Sequence, residues 1–249
     1  NGNNCAKPIS TGFIEDTIAI FVPICHRRRI PFLTWSLKMP IQCVLFDMDG
    51  VLVDVRSIHR QAFIQGLQRV GYSDLASIHW TALEGLSTRQ KCQHLLAAGQ
   101  LAQDQITPLC ETKQAITAQL LKEAPAPSPP ISALMAYLTQ KKMKIGLCSN
   151  SIERTIVTLM TAMELIDWFD LILSNESVKM PKPHPEIYHK AMSYFEVEPQ
   201  HVLILEDSPF GIEAARSCGA HVMEIQSLHQ VCVDDVEAFI KTCDDQEVS

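Results

Sequence analysis

Two aspartates one residue apart, Asp47 and Asp49, stand in the run IQCVLFDMDGVLVD at residues 41–54. No lysine or arginine lies beside either. Carboxylates this close raise one another's pKa unless a cation sits between them, and oxygen ligands suit Mg²⁺ better than Zn²⁺ or copper. A second acidic pair heads Glu206-Asp207-Ser208-Pro209. Between the two pairs come Ser149-Asn150-Ser151, a hydroxyl-and-amide cluster, and Lys182, which is flanked by Pro181 and Pro183. A lysine between prolines has restricted backbone freedom, and its ammonium is a compact charge suited to phosphate. Mg²⁺ held by carboxylates, with a lysine and a helix N-terminus opposite, is an arrangement for binding and transferring a phosphoryl group. Taken singly, each cluster also has an ordinary reading: turns for the acidic pairs, a helix cap for the serines, a solvated loop for the lysine.

The elements that must position these groups follow from the hydrophobic pattern. Residues 41–46 form a short apolar run, and its β-branched content and Asp-Gly stop favour a buried strand over a helix. From residue 131 the chain alternates, with strands expected at 143–148, 171–173, 202–205 and 220–225. Helices are expected at 130–142, 152–165, 185–195, 211–218 and 233–241. Such alternation implies βαβ units and an α/β fold with a parallel sheet covered on both faces. Right-handed crossovers bring the strand C-termini to one edge, so every polar cluster faces Asp47 and Asp49.

Between the first strand and this alternating region the periodicity is helical. Helices are expected over 58–70, stopped by Gly71, then over 89–98 and 109–123, followed by the proline-rich linker APAPSPP at 124–130. Residues 55–127 therefore read as a small α-helical domain inserted into a core made of 39–54 and 128–249, well placed to cover the aspartates. Residues 1–38 do not match the rest of the chain and are expected to lie outside the fold, with Met39 as the natural start. A basic organelle-directed leader is disfavoured by Glu15 and Asp16.

Composition bounds the function. With 249 residues, 47% hydrophobic and 20% charged, the chain has the make-up of an ordinary globular protein with ample core material. A formal charge of −7 with no long basic block argues against a nucleic-acid surface. No apolar stretch reaches the roughly 20 residues of a membrane span. The 9 cysteines, an odd number without any C-x-x-C pair, read as free thiols in a reducing cytoplasm. A cytoplasmic protein, monomeric or weakly dimeric, is the expectation.

The motifs DMDGVLVD, Ser149-Asn150, Lys182-Pro183 and EDSPFGIEAA, in this order over residues 41 to about 226, resemble those of the haloacid dehalogenase-like superfamily. The helical insert resembles the cap of the branch containing beta-phosphoglucomutase and small-metabolite phosphatases. The resemblance implies a Rossmann-like doubly wound core and Mg²⁺ as cofactor. By the same resemblance Asp47 is the nucleophile and Asp49 the general acid and base. Ser149, Asn150 and Lys182 are the phosphate-binding set, and Asp47, Asp49 (through its backbone carbonyl), Glu206 and Asp207 the metal site. Asp49 is expected to need a raised pKa, supplied by desolvation as the cap closes. Its presence sets dehalogenation aside, because dehalogenases of the superfamily lack this second aspartate.

Substrate reading is expected from the cap: His59, and Gly85, Ser87, Thr88 and Arg89 within Leu83-Glu84-Gly85-Leu86-Ser87-Thr88-Arg89. The mutase pattern has a lysine where this chain has Glu84 and an arginine where it has Thr88. His59 and Arg89 also read as plain polar-face residues of helices. The leading reading is a Mg²⁺-dependent phosphatase of a small metabolite such as a sugar phosphate. The alternatives are a phosphoglucomutase-type isomerase and a non-catalytic partner-binding member of the fold.

Overall fold

The computed structural model describes residues 41–73, 83–121 and 128–246. The expected extension 1–38, the start at Met39 and residues 124–127 of the linker lie outside the described residues.

Five apolar runs form strands: β1 (Cys43–Phe46), β2 (Lys144–Cys148), β3 (Leu171–Leu173), β4 (Val202–Glu206) and β5 (His221–Glu224). All pair in parallel, in the order β3-β2-β1-β4-β5. Eight helices accompany them among the described residues: α1 (Arg56–Arg69), α2 (Thr88–Ala97), α3 (Ile106–Leu120), α4 (Pro129–Gln140), α5 (Glu153–Ala162), α6 (Glu186–Phe195), α7 (Pro209–Ser217) and α8 (Val233–Gln246). The expected Rossmann-like doubly wound core is what the chain forms.

Alternate residues of each strand enter opposite cores. Val44 and Phe46 pack with Leu147, Leu203 and Leu205 under α4, α5 and α8, whereas Cys43 and Leu45 pack with Val202 and Ile204 under α6 and α7. A strand covered on both faces must be apolar throughout, which is why β1 reads as a continuous run and not as an alternation.

Local chemistry moves some boundaries from their expected places. Helix α7 begins at Pro209, before the expected Gly211, because the Ser208 hydroxyl accepts the Gly211 N–H at 3.1 Å. Pro209 at the first helical position forfeits nothing, since its missing N–H would have had no partner there. Strand β4 continues one residue beyond Leu205, to Glu206.

Helices α1–α3, between β1 and β2, gather a separate apolar core from Phe63, Leu67, Cys92, Leu95, Ile106 and Leu109. Ser87 starts α2 in a reciprocal capping box: its hydroxyl accepts the Gln90 N–H at 3.3 Å, and the Gln90 side-chain Oε1 accepts the Ser87 N–H at 2.8 Å. Among the described residues no helix is long and apolar enough to cross a membrane. Cys43, Cys92, Cys110, Cys148, Cys218 and Cys232 are free thiols.

The chain winds outward from β1 to β2 and β3, then returns to place β4 on the other side of β1. The crevice beyond the carboxyl ends of β1 and β4 is therefore the switch point at which ligands bind in such sheets. Phe46 is level with both Leu147 and Leu205. The next residues along the three strands, Asp47, Cys148 and Glu206, accordingly converge on one level, and the Asp47 N–H donates to the Leu205 carbonyl at 3.0 Å.

Candidate active site

Lys182 occupies that convergence. Its ammonium, buried with the side chain, donates to Asp47 Oδ1 at 2.7 Å, to the Cys148 carbonyl at 2.8 Å and to Glu206 Oε1. Burial pulls its pKa down, but Asp47 and Glu206 outweigh that and hold it above the ordinary lysine value. Glu206 is fully buried and saturated. Oε1 also accepts the Tyr188 hydroxyl at 2.9 Å, while Oε2 accepts the N–H groups of Asp207 and Ser208 at 3.0 and 3.3 Å. Glu206 is thus engaged in fixing Lys182 and the turn after β4. The loop that carries Lys182 is tied down as well, because Asn150 Oδ1 accepts its N–H at 3.1 Å and Asn150 Nδ2 donates to its carbonyl at 3.1 Å.

Asp47, Glu206 and Asp207 each bring a carboxylate oxygen within 4.8 Å of the others. Burial and then Glu206 push Asp47 well above the usual carboxylate range, against the opposing pull of Lys182. Burial and then Glu206 push Asp207 up to about 7. An all-oxygen set with too much negative charge fits a hard divalent cation such as Mg²⁺. Asp47 and Asp207 are the residues placed to hold it, since both Glu206 oxygens are committed elsewhere. Two glycines make this packing possible: a Cβ on Gly50, whose φ is +89°, would fall 1.9 Å from Asp207 Oδ2, and one on Gly211 would fall 1.9 Å from Glu206 Oε1.

The raised acids have a consequence for stability. In the unfolded chain Asp207 ionises near 3.8, so between about pH 4 and about pH 7 the folded state holds more protons than the unfolded one. Without a divalent cation, these groups make stability fall as pH rises through that window. Mg²⁺, which binds the ionised form, is expected to raise the melting temperature little at about pH 5 and much more above about pH 7. Thermal melts with chelator and with Mg²⁺ at both pH values check this; an equal effect at both would contradict it.

The Asp49 carboxylate turns away from the acidic cluster, towards α1. His59 Nε2 lies 3.3 Å from Asp49 Oδ2, and the Ser151 hydroxyl donates to the same oxygen at 3.4 Å. Lys113 Nζ lies 3.0 Å from His59 Nδ1. With the ammonium donating, the imidazole keeps its proton on Nε2, facing Asp49. Burial would raise the Asp49 pKa, but His59 and then Lys113 and Lys91 more than offset it and hold it below the carboxylate range. This corrects the expectation of a raised pKa: closing the helices over Asp49 brings cations with them.

A cavity of about 150 Å³ separates the two sides. Asp47, Asp49, Ser149, Asn150, Lys182 and Asp207 line it from the sheet, and His59, Gly85, Ser87 and Thr88 from the insert. Three hydrogen bonds close the insert over the sheet edge: Asn150 Nδ2 to the Gly85 carbonyl at 2.9 Å, Gln90 Nε2 to the Lys182 carbonyl at 2.9 Å, and Gln114 Nε2 to Thr155 Oγ1 at 2.8 Å. Ser149 is buried, and its hydroxyl accepts the Ser151 N–H at 3.1 Å. Arg89 is the exception among the residues expected from the insert: it is exposed and is not part of the lining. Its place is taken by residues that sequence reading did not single out, Lys91, Lys113 and Arg56, the last reaching Asp207 Oδ2 at 3.3 Å. Lys91 was legible in principle, three residues after Thr88 and on the same helical face.

The sequence pattern of the haloacid dehalogenase-like hydrolase family matches residues 44–225. A phosphorylated carbohydrates phosphatase of Thermotoga maritima is 28% identical over 72% of this chain and 82% of its own length. A fructose-1-phosphate phosphatase of Escherichia coli strain K12 is 28% identical over 74% of this chain and 96% of its own. The crystal structure of a beta-phosphoglucomutase from Clostridium difficile superposes with a TM-score of 0.68 at 23% identity, covering 81% of this chain and 98% of that one.

Proposed function

The chain belongs to the haloacid dehalogenase-like hydrolase family, and from that premise we propose that it is a Mg²⁺-dependent phosphatase, hydrolysing the phosphate monoester of a small metabolite through an aspartyl-phosphate on Asp47. One observation carries the reading. Asp47, anchored by Lys182 at 2.7 Å and grouped with Asp207, opens onto a cavity whose other wall presents Asp49.

In this reading Mg²⁺, when bound, offsets the charge of the phosphoryl group and its repulsion from the nucleophile. The Asp47 carboxylate forms the bond to phosphorus while Lys182 and Ser149 hold phosphoryl oxygens. Asp49 gives its proton to the departing ester oxygen, then takes one from the water that cleaves the acyl phosphate, so ester and water become alcohol and inorganic phosphate. Cations keep Asp49 ionised in the structure, the form needed for the second step. A dianionic phosphoryl group arriving beside it works against those cations and favours the protonated form needed for the first. Glu206 acts through Lys182 and is a positioning residue, and α1–α3 serve as the cap that excludes water.

The Thermotoga maritima and Escherichia coli phosphatases act on phosphorylated sugars, which places sugar phosphates among the substrates to test. Incubation with Mg²⁺ and a panel of sugar and nucleotide monophosphates, followed by phosphorus NMR, is expected to give free phosphate. The panel includes β-glucose 1-phosphate with a trace of the 1,6-bisphosphate. Glucose 6-phosphate without matching free phosphate would overturn hydrolysis in favour of the mutase. Asp49→Asn is expected to lower kcat by about 10²–10⁴-fold on the best ester, the usual contribution of a general acid and base. Full turnover by that variant would contradict the role.

A further inference from the structure

The wall opposite the acidic cluster carries more positive charge than hydrolysis of a simple monoester uses. Lys91 of α2 and Lys113 of α3 both line the cavity, and the charge of Lys91 acts on Lys113. Lys113 is buried, and burial followed by Lys91 lowers its pKa to about 8. Burial lowers that of Lys91 too. The Lys91 ammonium makes no hydrogen bond or ion pair with the described residues, and Asp49 and the exposed Glu84 are the carboxylates that act on it. The Lys113 ammonium lies 3.0 Å from His59 Nδ1. Arg56, also in the lining, is already paired with Asp54 and Asp207.

Two ammonium groups lining one cavity, with no carboxylate of the described residues hydrogen-bonded to either, are costly to desolvate unless an anion meets them. The one acid between them and the acidic cluster, Asp49, is shared with His59 and Ser151. Mg²⁺ cannot meet the deficit, being itself a cation on the other wall. The missing negative charge must arrive with the ligand.

We infer that the substrate carries a second anionic group, a carboxylate or a phosphate, at the end remote from the transferred phosphoryl group, and that Lys91 and Lys113 bind it. The inference rests on the phosphatase reading only for which end is transferred. The cavity, about 150 Å³, is comparable to one that holds a benzene-sized body. A short chain joining the two charged ends, on the order of two to four carbons, fits this volume. Lys91 is the specificity-determining member, because it is committed to no other group, whereas Lys113 also orients His59.

A matched set of non-hydrolysable phosphonates tests this on the full chain with Mg²⁺ by calorimetry: 3-phosphonopropanoate, propane-1,3-diphosphonate and the uncharged-tail analogue propylphosphonate. At least one of the first two is expected to bind at least about tenfold more tightly than propylphosphonate. The tighter of them tells carboxylate from phosphate as the second group. Lys91→Met is expected to reduce that preference to less than about threefold, and Lys91→Arg to retain most of it. Equal binding of all three, or a preference that survives in Lys91→Met, would overturn the inference. Binding is read without turnover, so these outcomes are separate from failure of the phosphatase reading, which would appear as no ester of the panel being hydrolysed.

Discussion

Lys182→Met is expected to destabilise the protein by about 3–5 kcal/mol, the usual cost of removing one partner of a buried ion pair. For a chain of this size that corresponds to a melting temperature roughly 6–20 °C lower. The ammonium is the only cation recorded against both Asp47 and Glu206 among the described residues, and the Lys182 side chain is buried with just 1% exposure. Without it, Glu206 keeps the N–H groups of Asp207 and Ser208 and the Tyr188 hydroxyl but loses its counter-charge. Protonating Asp47, whose pKa is raised, relieves the repulsion, so the deficit is expected to shrink at acid pH. Urea unfolding of both proteins in chelator, at about pH 5 and above about pH 7, measures it. A loss below about 1 kcal/mol at the higher pH would mean that Lys182 is not the centre of this network.

Asp47→Asn is expected to have opposite effects on activity and on metal-free stability. Turnover should fall by on the order of 10⁴-fold or more, about 5 kcal/mol in the barrier, because an amide does not form the acyl phosphate. In chelator the variant is expected to be at least as stable as the parent, because the charge removed is one that Glu206 and Asp207 repel, and an amide oxygen still accepts from Lys182. The increment in melting temperature on adding Mg²⁺ should largely vanish with the carboxylate. A variant that is inactive because it is unfolded would show the reverse pattern, so melts and rates on one preparation separate the two.

The sheet and its reactive edge were legible in the sequence because both are local. Each strand is a short apolar run, and each polar cluster sits within a few residues of its strand's end, so topology alone brings Asp47, Ser149, Lys182 and Asp207 together. What could not be read depends on how the inserted helices dock. Lys91 and Lys113 are ordinary helix lysines until α2 and α3 close over Asp49. The same docking reversed the expected pKa direction of Asp49. Desolvation was anticipated from a closing cap, but the cations that the cap carries were not. Arg89 failed as a lining residue for a geometric reason: one position along a helix is about 100° of rotation, enough to turn it from the cavity to solvent.

The most direct test of the central claim is an acid-quenched single turnover of the best phosphate ester, radiolabelled in its phosphoryl group, with Mg²⁺ present, followed by peptide mapping of the labelled protein. The account requires transient label on the peptide carrying Asp47, released by hydroxylamine as an acyl phosphate is, and no label in Asp47→Asn. Turnover with label on another residue, or undiminished turnover by Asp47→Asn, would contradict it.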